Sequence, residues 1–172
     1  MRVAIIGNSG SGKSALARRL SADRVLPTLD LDTVAWEPDK IAVPRDQADA
    51  KADVKAFCET NKAWVIEGCY AGLVHAALQF SPTLLFLEPG VDTCLANCRN
   101  RPWEPHKYKS RHEQDEKLEF LLAWVREYYA REDDLSLVAH QALFDAYAGP
   151  KRKLTTLVGQ KLIDDSMLLE TS

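Results

Sequence analysis

The chain has 172 residues, which fits one compact domain with a buried core, so we expect residues 1–172 to form a single domain whose tail from about residue 160 is left unassigned. A balance of 22 basic against 25 acidic residues gives a net charge of −3, so binding of nucleic acid or of a membrane by the whole surface is not expected. The N-terminal apolar stretch is too short for a signal peptide and no run approaches the ~20 residues that span a bilayer, so a cytoplasmic protein is predicted.

The N-terminal half alternates short apolar runs with helical patterns. Apolar residues at 3–6 predict a buried first strand, which leads through a glycine-rich turn into a helix at 13–20. A second strand is predicted at 25–29, followed by a helix that Pro44 opens. Apolar runs at 63–66 and 83–87 predict the third and fourth strands. Strands that alternate with helices in this way predict a parallel sheet covered by helices on both faces.

The C-terminal half is more helical. Apolar residues at 118–129 recur at helical spacing, and Ser136 is placed to cap a further helix that turns His140 inward. Gly149 and the proline after it are expected to end that helix. A last strand is predicted at 153–158, which brings the sheet to about five strands. The four cysteines have no Cys-x-x-Cys spacing, so buried reduced thiols are expected.

Residues 7–14 fit the phosphate-loop pattern Gly-x-x-x-x-Gly-Lys-Ser/Thr between a predicted strand and a predicted helix. Glycines let the backbone curl so that successive N–H groups point at phosphate oxygens, and the following helix adds the positive end of its dipole. Lys13 is expected to reach the β- and γ-phosphates, and the Ser14 hydroxyl to bind Mg²⁺. Amino-acid frequencies put a chance match anywhere in the chain at under about 1%. The predicted nucleotide contacts are Gly7, Asn8, Ser9, Gly10, Ser11, Gly12, Lys13, Ser14 and Ala15.

Motifs that mark other classes of phosphate-loop protein are missing from the sequence. It has no Asn-Lys-x-Asp segment to read guanine, as a GTPase needs, and no Leu-Ser-Gly-Gly-Gln signature of a transporter ATPase. The chain is also too short for an AAA-type module with its lid domain. ATP with Mg²⁺ is therefore the expected ligand pair.

Acidic residues follow the second and the third predicted strand. Asp30 and Asp32 lie at the carboxyl end of the second strand, the edge where open α/β sheets bind ligands. A carboxylate there can accept a proton from an attacking hydroxyl or hold Mg²⁺ through water, and a solvated or helix-capping aspartate is the alternative. Glu67 ends the third strand and is expected to hold Mg²⁺ through water. Which of the three carboxylates is the main Mg²⁺–water ligand stays open.

These features resemble the nucleoside and nucleotide kinases, and more closely the small adenylate-kinase-related proteins, some of which carry the name DNA topology modulation protein. The resemblance covers the chain up to about residue 158. It rests on the loop, on Leu31-Asp32 followed by Trp36 and Pro38, on Trp64-Val65-Ile66-Glu67-Gly68-x-Tyr70, on Leu87-Glu88-Pro89 and on Arg99-x-Arg101. It implies an α/β fold of the three-layer P-loop NTPase type with a short lid, and the activity of an ATP-dependent small-molecule kinase.

Residues 99–112 resemble the lid of such kinases. The segment carries five basic residues, two histidines and a single acid, and its prolines Pro102 and Pro105 are expected to break the preceding helix and form a hinge. The resemblance implies that Arg99 and Arg101 stabilise the charge on the transferring phosphoryl group. A solvated basic loop is the alternative.

The acceptor side departs from the pattern of these kinases. The acid–glycine pair is kept, but Cys69-Tyr70 stands where nucleoside monophosphate kinases have Phe-Pro-Arg. The arginine that grips an acceptor phosphate is thus missing, which weakens the case for a nucleoside monophosphate acceptor. A nucleoside-like, nucleotide-like or small hydroxy compound is expected. Its predicted contacts are Asp30, Asp32, Trp36, Gly68 and Tyr70, and the predicted catalytic residues are Lys13, Asp32, Arg99 and Arg101.

Two other functions stay open at the level of sequence. One is a nucleotide-dependent regulator that binds DNA or a protein, and the net charge of −3 argues against its DNA-binding form. The other is an ATPase whose turnover depends on no acceptor. The sequence does not decide between ATP and other triphosphates, and it leaves the oligomeric state open.

Overall fold

A five-stranded sheet forms the centre of the computed structural model, which describes residues 1–22, 24–37, 43–103 and 109–156. Each neighbouring pair of strands runs parallel, and β1 is the central strand. The prediction of a parallel sheet of about five strands is confirmed. In the order β2-β3-β1-β4-β5, the strands are β1 (Arg2–Gly7), β2 (Thr28–Asp30), β3 (Trp64–Gly68), β4 (Thr83–Leu87) and β5 (Lys151–Leu154).

Helices cover both faces of the sheet, as predicted. Side chains alternate along β1, so that Ala4 and Ile6 face one layer while Val3 and Ile5 face the other. The first layer is formed mainly by α3, α4 and α8, and the second by α1. A smaller apolar cluster joins α5 to α7. The helices in the described residues are α1 (Lys13–Ala22), α2 (Asp32–Ala35), α3 (Gln47–Thr60), α4 (Ala71–Leu78), α5 (Val91–Arg99), α6 (Arg111–Glu116), α7 (Leu118–Glu127) and α8 (Leu137–Ala146).

The second strand is shorter than the predicted 25–29. Val25 adopts a left-handed backbone (φ 49°) and is 90% exposed, and Pro27 has no N–H to donate. The amides of the residues on either side of Val25 bond to the carbonyl of Ser21 in a turn after α1. The strand therefore begins only at Thr28.

The helix predicted to open at Pro44 begins three residues later. Pro44 instead pairs with Trp36 in an isolated antiparallel bridge. The side chain of Asp46 caps α3 by accepting hydrogen bonds from the amides of Ala48 and Asp49. An aspartate N-cap satisfies two of the free helix amides, which proline cannot do.

The C-terminal elements also end at other residues than predicted. Ser136 caps α8 and His140 is fully buried, as expected, but the C-cap is Tyr147 rather than Gly149. The last strand lies at Lys151–Leu154 rather than at 153–158, and residues 157–158 fall outside the described part of the chain. Tyr129, which the helical spacing places in the core, lies beyond the end of α7 and is 39% exposed, and its hydroxyl donates a hydrogen bond to Glu88.

The predicted lid is described at its two ends. The helix before it ends at Arg99, three residues ahead of Pro102, and the next described helix begins at Arg111. Residues 104–108, with Pro105, lie outside the described residues, as do Pro38 and the tail from about residue 160. Among the helices that the structure describes, none has the length and the apolar composition of a membrane span.

Candidate active site

The predicted phosphate loop connects the end of β1 to the start of α1, and close contacts require glycine at two of its positions. A Cβ atom on Gly7 would overlap the carbonyl oxygen of Leu87. Gly10 has a left-handed backbone (φ 78°), and a Cβ there would overlap the carbonyl oxygen of Cys94. The loop is thus packed directly against β4 and α5, where no larger residue fits.

Two asparagines hold the loop in place. The side-chain amide of Asn8 donates a 3.0 Å hydrogen bond to the carbonyl of Val125, and its Oδ1 accepts from the amide of Ser9 at 2.8 Å. Asn97, in α5, donates to the carbonyl of Gly10 at 2.8 Å. Helices α5 and α7 therefore hold the curled backbone through protein contacts, which lowers the ordering cost of binding a phosphate group.

Lys13 lies buried at the base of the loop. It is only 7% exposed, and its Nζ donates a 2.9 Å hydrogen bond to the carbonyl of Asn8. Burial lowers the pKa of Lys13, but Cys69, Glu67 and Asp32 more than offset that effect, so the pKa lies above its ordinary value. The loop lysine is therefore held as a buried cation.

The predicted carboxylates meet at the same edge of the sheet. Asp30 of β2 lies opposite Glu67 of β3 in the strand register. Glu67 is 7% exposed, and burial raises its pKa, while Lys13 and a hydrogen bond from Ser14 act in the opposite direction. Asp30 and Asp32 both add to the rise. Lys13, Ser14 and the three acids thus form one interacting group.

This group suits magnesium carried in by a nucleotide. The Ser14 hydroxyl and the Glu67 carboxylate are hydrogen-bonded to each other, and both supply the oxygen ligands that Mg²⁺ prefers. Within the described ranges, no three His, Cys, Asp or Glu side chains are arranged as a ready-made metal cluster. Mg²⁺ commonly binds through one or two protein oxygens, several waters and the phosphates of its substrate, so the donors present fit that mode.

A hydrogen-bonded chain of side chains lies beside the acids. The Tyr70 hydroxyl donates to Oδ1 of Asp32 at 2.8 Å and accepts from Nε1 of Trp36 at 2.9 Å. Burial and the Asp32 carboxylate raise the pKa of Tyr70, which keeps the phenol protonated as a donor. Oδ1 of Asp30 accepts from the backbone amide of Asp32 at 3.0 Å, and Trp36 is 37% exposed. The structure thus brings together four of the five predicted acceptor contacts.

Gly68, the fifth predicted acceptor contact, has a packing reason to be glycine. It is buried in β3, and a Cβ atom there would lie 2.7 Å from Cβ of Leu31. Leu31 itself is fully buried. The glycine allows the segment that carries Asp30 and Asp32 to approach β3 closely.

Arg99 is the last residue of α5, and Arg101 follows two residues later. They line a small pocket between the end of α5 and helices α6 and α7, together with Arg111 and Lys117. A guanidinium nitrogen of Arg101 is 3.9 Å from the sulfur of Cys98, and that sulfur packs against Gly10 of the loop. The two predicted lid arginines therefore share one pocket, and Cys98 links Arg101 to the back of the phosphate loop.

Three residues at the site were missed as functional candidates from sequence. The sulfur of Cys69 is 3.9 Å from the hydroxyl oxygen of Ser9, and the same side chain hydrogen-bonds Lys13. Its position directly after the acid–glycine pair could have marked it as a candidate. Tyr128 and His140 read as members of apolar helical faces, and nothing in the sequence separates them from ordinary core residues. Only the tertiary packing places them against the turn that contains Cys69.

No protein-family model matches the chain, and no curated protein matches it significantly. Solved structures to which it is similar include an uncharacterised protein from Eubacterium ventriosum ATCC 27560, at 17% identity over 90% of this chain and 88% of that chain, with a TM-score of 0.46. A gluconokinase from Sinorhizobium meliloti 1021 is 17% identical over 84% and 97% of the two chains, with a TM-score of 0.44. A sugar kinase from Janibacter sp. HTCC2649 is 15% identical over 89% and 83%, with a TM-score of 0.47. Similarity this low carries no information about activity, so the adenylate-kinase-related resemblance stays a prediction.

Proposed function

We propose that the chain is an ATP-dependent phosphotransferase that moves the γ-phosphoryl group of Mg·ATP to a hydroxyl group of a small-molecule acceptor. The observation that carries the proposal is the meeting of two sets of side chains at one sheet edge. Lys13 and Ser14 of the loop interact with Glu67. The charge of the Asp32 carboxylate raises the pKa of the same buried lysine. An acceptor hydroxyl at Asp32 would therefore lie beside the terminal phosphate.

The residues divide the chemistry among them. The loop amides and Lys13 bind the phosphates and offset their charge, with contacts already in place before the reaction. Ser14 and Glu67, with Asp30, offer oxygens to hydrated Mg²⁺, which withdraws charge from the phosphate oxygens when bound. Asp32 takes the proton of the acceptor hydroxyl as the oxygen of that hydroxyl bonds to the γ-phosphorus. The bond between the γ-phosphorus and the oxygen that bridges it to the β-phosphate breaks at the same time, and ADP leaves.

Tyr70 and Trp36 form the acceptor side in this proposal. The Tyr70 hydroxyl fixes the Asp32 carboxylate, and the indole N–H of Trp36 in turn fixes that hydroxyl. One carboxylate oxygen is thus oriented by the protein, which favours a defined geometry for the incoming hydroxyl. The partly exposed Trp36 ring offers apolar contact area to a nucleoside-like or small hydroxy compound.

Arg99 and Arg101 are proposed to close over the transferring phosphoryl group. Guanidinium groups pair with phosphate oxygens bidentately. Both arginines line one pocket, and Cys98 connects Arg101 to Gly10 of the loop. Closure would also exclude water and so limit wasteful hydrolysis.

The proposal is tested by ADP release from Mg·ATP, measured with and without pools of nucleosides, nucleoside monophosphates, small sugars and hydroxy acids. The Lys13→Ala variant serves as the blank. One pool is expected to stimulate release well above the basal rate. Slow release that no pool changes would point instead to an acceptor-independent ATPase or to a nucleotide-gated regulator. For a DNA-binding regulator, affinity for DNA should fall steeply with salt.

A further inference from the structure

Two polar side chains lie fully buried behind the candidate active site. Tyr128, just after α7, is 1% exposed, and His140, in α8, is 0% exposed. The Tyr128 hydroxyl is 2.8 Å from Nδ1 of His140, and Nε2 of His140 is 2.6 Å from the carbonyl oxygen of Cys69. These groups form one hydrogen-bonded chain that joins α7 and α8 to the turn after β3.

The Cys69 carbonyl determines where the protons of this chain lie. A carbonyl oxygen can only accept, so Nε2 of His140 must carry the hydrogen. Burial lowers the pKa of His140 to about 4, despite the opposing hydrogen bond to Cys69, so the ring is neutral near pH 7. A neutral ring protonated on Nε2 offers Nδ1 as an acceptor, and the Tyr128 hydroxyl therefore donates to it. Both ring nitrogens are satisfied inside the protein.

Cys69 lies between the two halves of the site. Its thiol is 3.9 Å from the Ser9 hydroxyl and interacts with Lys13, on the nucleotide side. The next residue along the chain is Tyr70, which holds Asp32 on the acceptor side. The position of the Cys69 peptide therefore sets how the tyrosine and the lysine face each other.

The turn that follows is held by the same part of the chain. The carbonyl of Asp134 accepts from the amide of Ala71 at 3.1 Å, and its carboxylate accepts from the amide of Gly72 at 2.8 Å. These bonds cap the start of α4. The bond from His140 instead reaches the carbonyl of Cys69, the residue just before Tyr70. The His140 contact is thus the one aimed at the junction between the nucleotide and acceptor sides.

We propose that His140 is a positioning residue. Its Nε2–H, oriented by the Tyr128 hydroxyl, fixes the Cys69 peptide and so holds the Tyr70–Asp32 pair in register with Lys13. The catalytic consequence of this role rests on the proposed function, whereas the anchoring of Cys69 does not. A 1 Å misplacement at a reacting centre can lower a rate by about 10²-fold, so an anchor of this kind matters without touching substrate.

The test compares His140→Leu, which removes the N–H donor, with His140→Gln, which keeps one, and with Tyr128→Phe. The first readout is the rate at which iodoacetamide alkylates Cys69, located by peptide mass spectrometry, in folded protein at neutral pH. The three other cysteines are buried, and burial raises the pKa of each of them, so they serve as internal references. The second readout is the dissociation constant for Mg·ATP, and the third is ADP release with whichever acceptor pool stimulates the wild type.

His140→Leu is expected to speed alkylation of Cys69 about tenfold and to lower acceptor-stimulated kcat by at least as much, with Mg·ATP affinity kept within about twofold. His140→Gln should restore most of both values. If His140→Leu does not fold, Tyr128→Phe carries the test, with about threefold faster alkylation expected from the freed ring. Unchanged Cys69 alkylation in the variants, or a Gln variant as impaired as the Leu variant, would overturn the positioning role. If no acceptor pool works, the proposed function fails while alkylation still decides the role of His140.

Discussion

The hydroxyl of Tyr70 donates a 2.8 Å hydrogen bond to the carboxylate of Asp32, across 38 residues of sequence. The bond joins the turn after β3 to the start of α2, and the indole of Trp36 supports it from the other side. Asp32 in turn acts on the buried Lys13. This side-chain contact therefore helps to orient the proposed proton acceptor beside the nucleotide site.

Removing this contact should impair the acceptor side alone. Tyr70→Phe deletes the hydroxyl and with it one hydrogen bond that orients the Asp32 carboxylate, so kcat/KM for the acceptor should fall about tenfold while the Kd for Mg·ATP stays unchanged. Steady-state kinetics and calorimetric titration measure the two quantities. Tyr147→Phe is the matched control, because its hydroxyl bonds to the carbonyl of Pro82 far from the site. A Tyr70 variant that loses nucleotide affinity in equal measure would contradict the assignment.

Lys13→Ala should abolish turnover. The buried ammonium is the cation proposed to bind the β- and γ-phosphates, so we expect ADP release to drop by at least about 10²-fold and the folded state to persist. Circular dichroism checks the fold and ADP release checks the activity. Lys62→Ala removes an exposed lysine and should behave as wild type. Retained activity with normal unfolding behaviour would remove Lys13 from the mechanism.

Arg101→Ala should lower kcat far more than nucleotide affinity. An arginine that stabilises only the transition state contributes about 10³- to 10⁵-fold to the rate and little to ground-state binding. Pre-steady-state and binding measurements separate the two effects. Arg126→Ala, on the exposed face of α7, is the control. An unchanged kcat would show that Arg101 does not serve the transferring group.

Two glycines of the loop should differ in their effect on stability. Gly10→Ala forces a Cβ into the Cys94 carbonyl at a left-handed backbone, so we expect a loss of more than about 2 kcal/mol in the free energy of unfolding. At Gly12 the backbone is also left-handed, but a Cβ meets no atom within 4 Å, so Gly12→Ala should cost only about 1 kcal/mol. Urea denaturation of both variants tests the comparison. Equal losses would mean that the packing of Gly10 against α5 contributes nothing.

Stability should depend on pH through His140. Burial lowers its pKa from 6.5 to about 4 in the folded state. The charges of Lys13 and Arg131 add to this decrease, whereas the hydrogen bond to Cys69 and the charge of Asp133 oppose it. Below pH 6.5 His140 is protonated in the unfolded chain but stays neutral in the folded protein until the pH approaches 4. The free energy of unfolding is therefore highest above pH 6.5 and decreases as the pH falls. Between pH 7 and pH 5 the wild type should lose about 2 kcal/mol more than His140→Gln, measured by urea denaturation. Parallel losses would show that His140 is not held neutral by its burial.

The sequence predicts those parts of the site that local chemistry determines. The loop from Gly7 to Ser14 needs its residue types at fixed spacing, so a sequence pattern identifies it. Asp30 and Glu67 each follow a short apolar run, which predicts that they lie together at the carboxyl edge of the sheet. The start of β2 at Thr28 was not predictable from hydrophobicity, because Pro27 and the turn at Ser21 decide it. The contact of His140 with Cys69 spans 71 residues and follows only from how α8 packs on the sheet.

The most direct test of phosphoryl transfer is ³¹P NMR of wild-type protein incubated with Mg·ATP and each acceptor pool. Transfer predicts that the γ-phosphate resonance decays as a new phosphoester resonance appears with one pool, together with ADP, and that Lys13→Ala produces neither. If the γ-phosphate appears only as inorganic phosphate with every pool, the chain is an ATPase and the acceptor role of Asp32, Tyr70 and Trp36 is wrong.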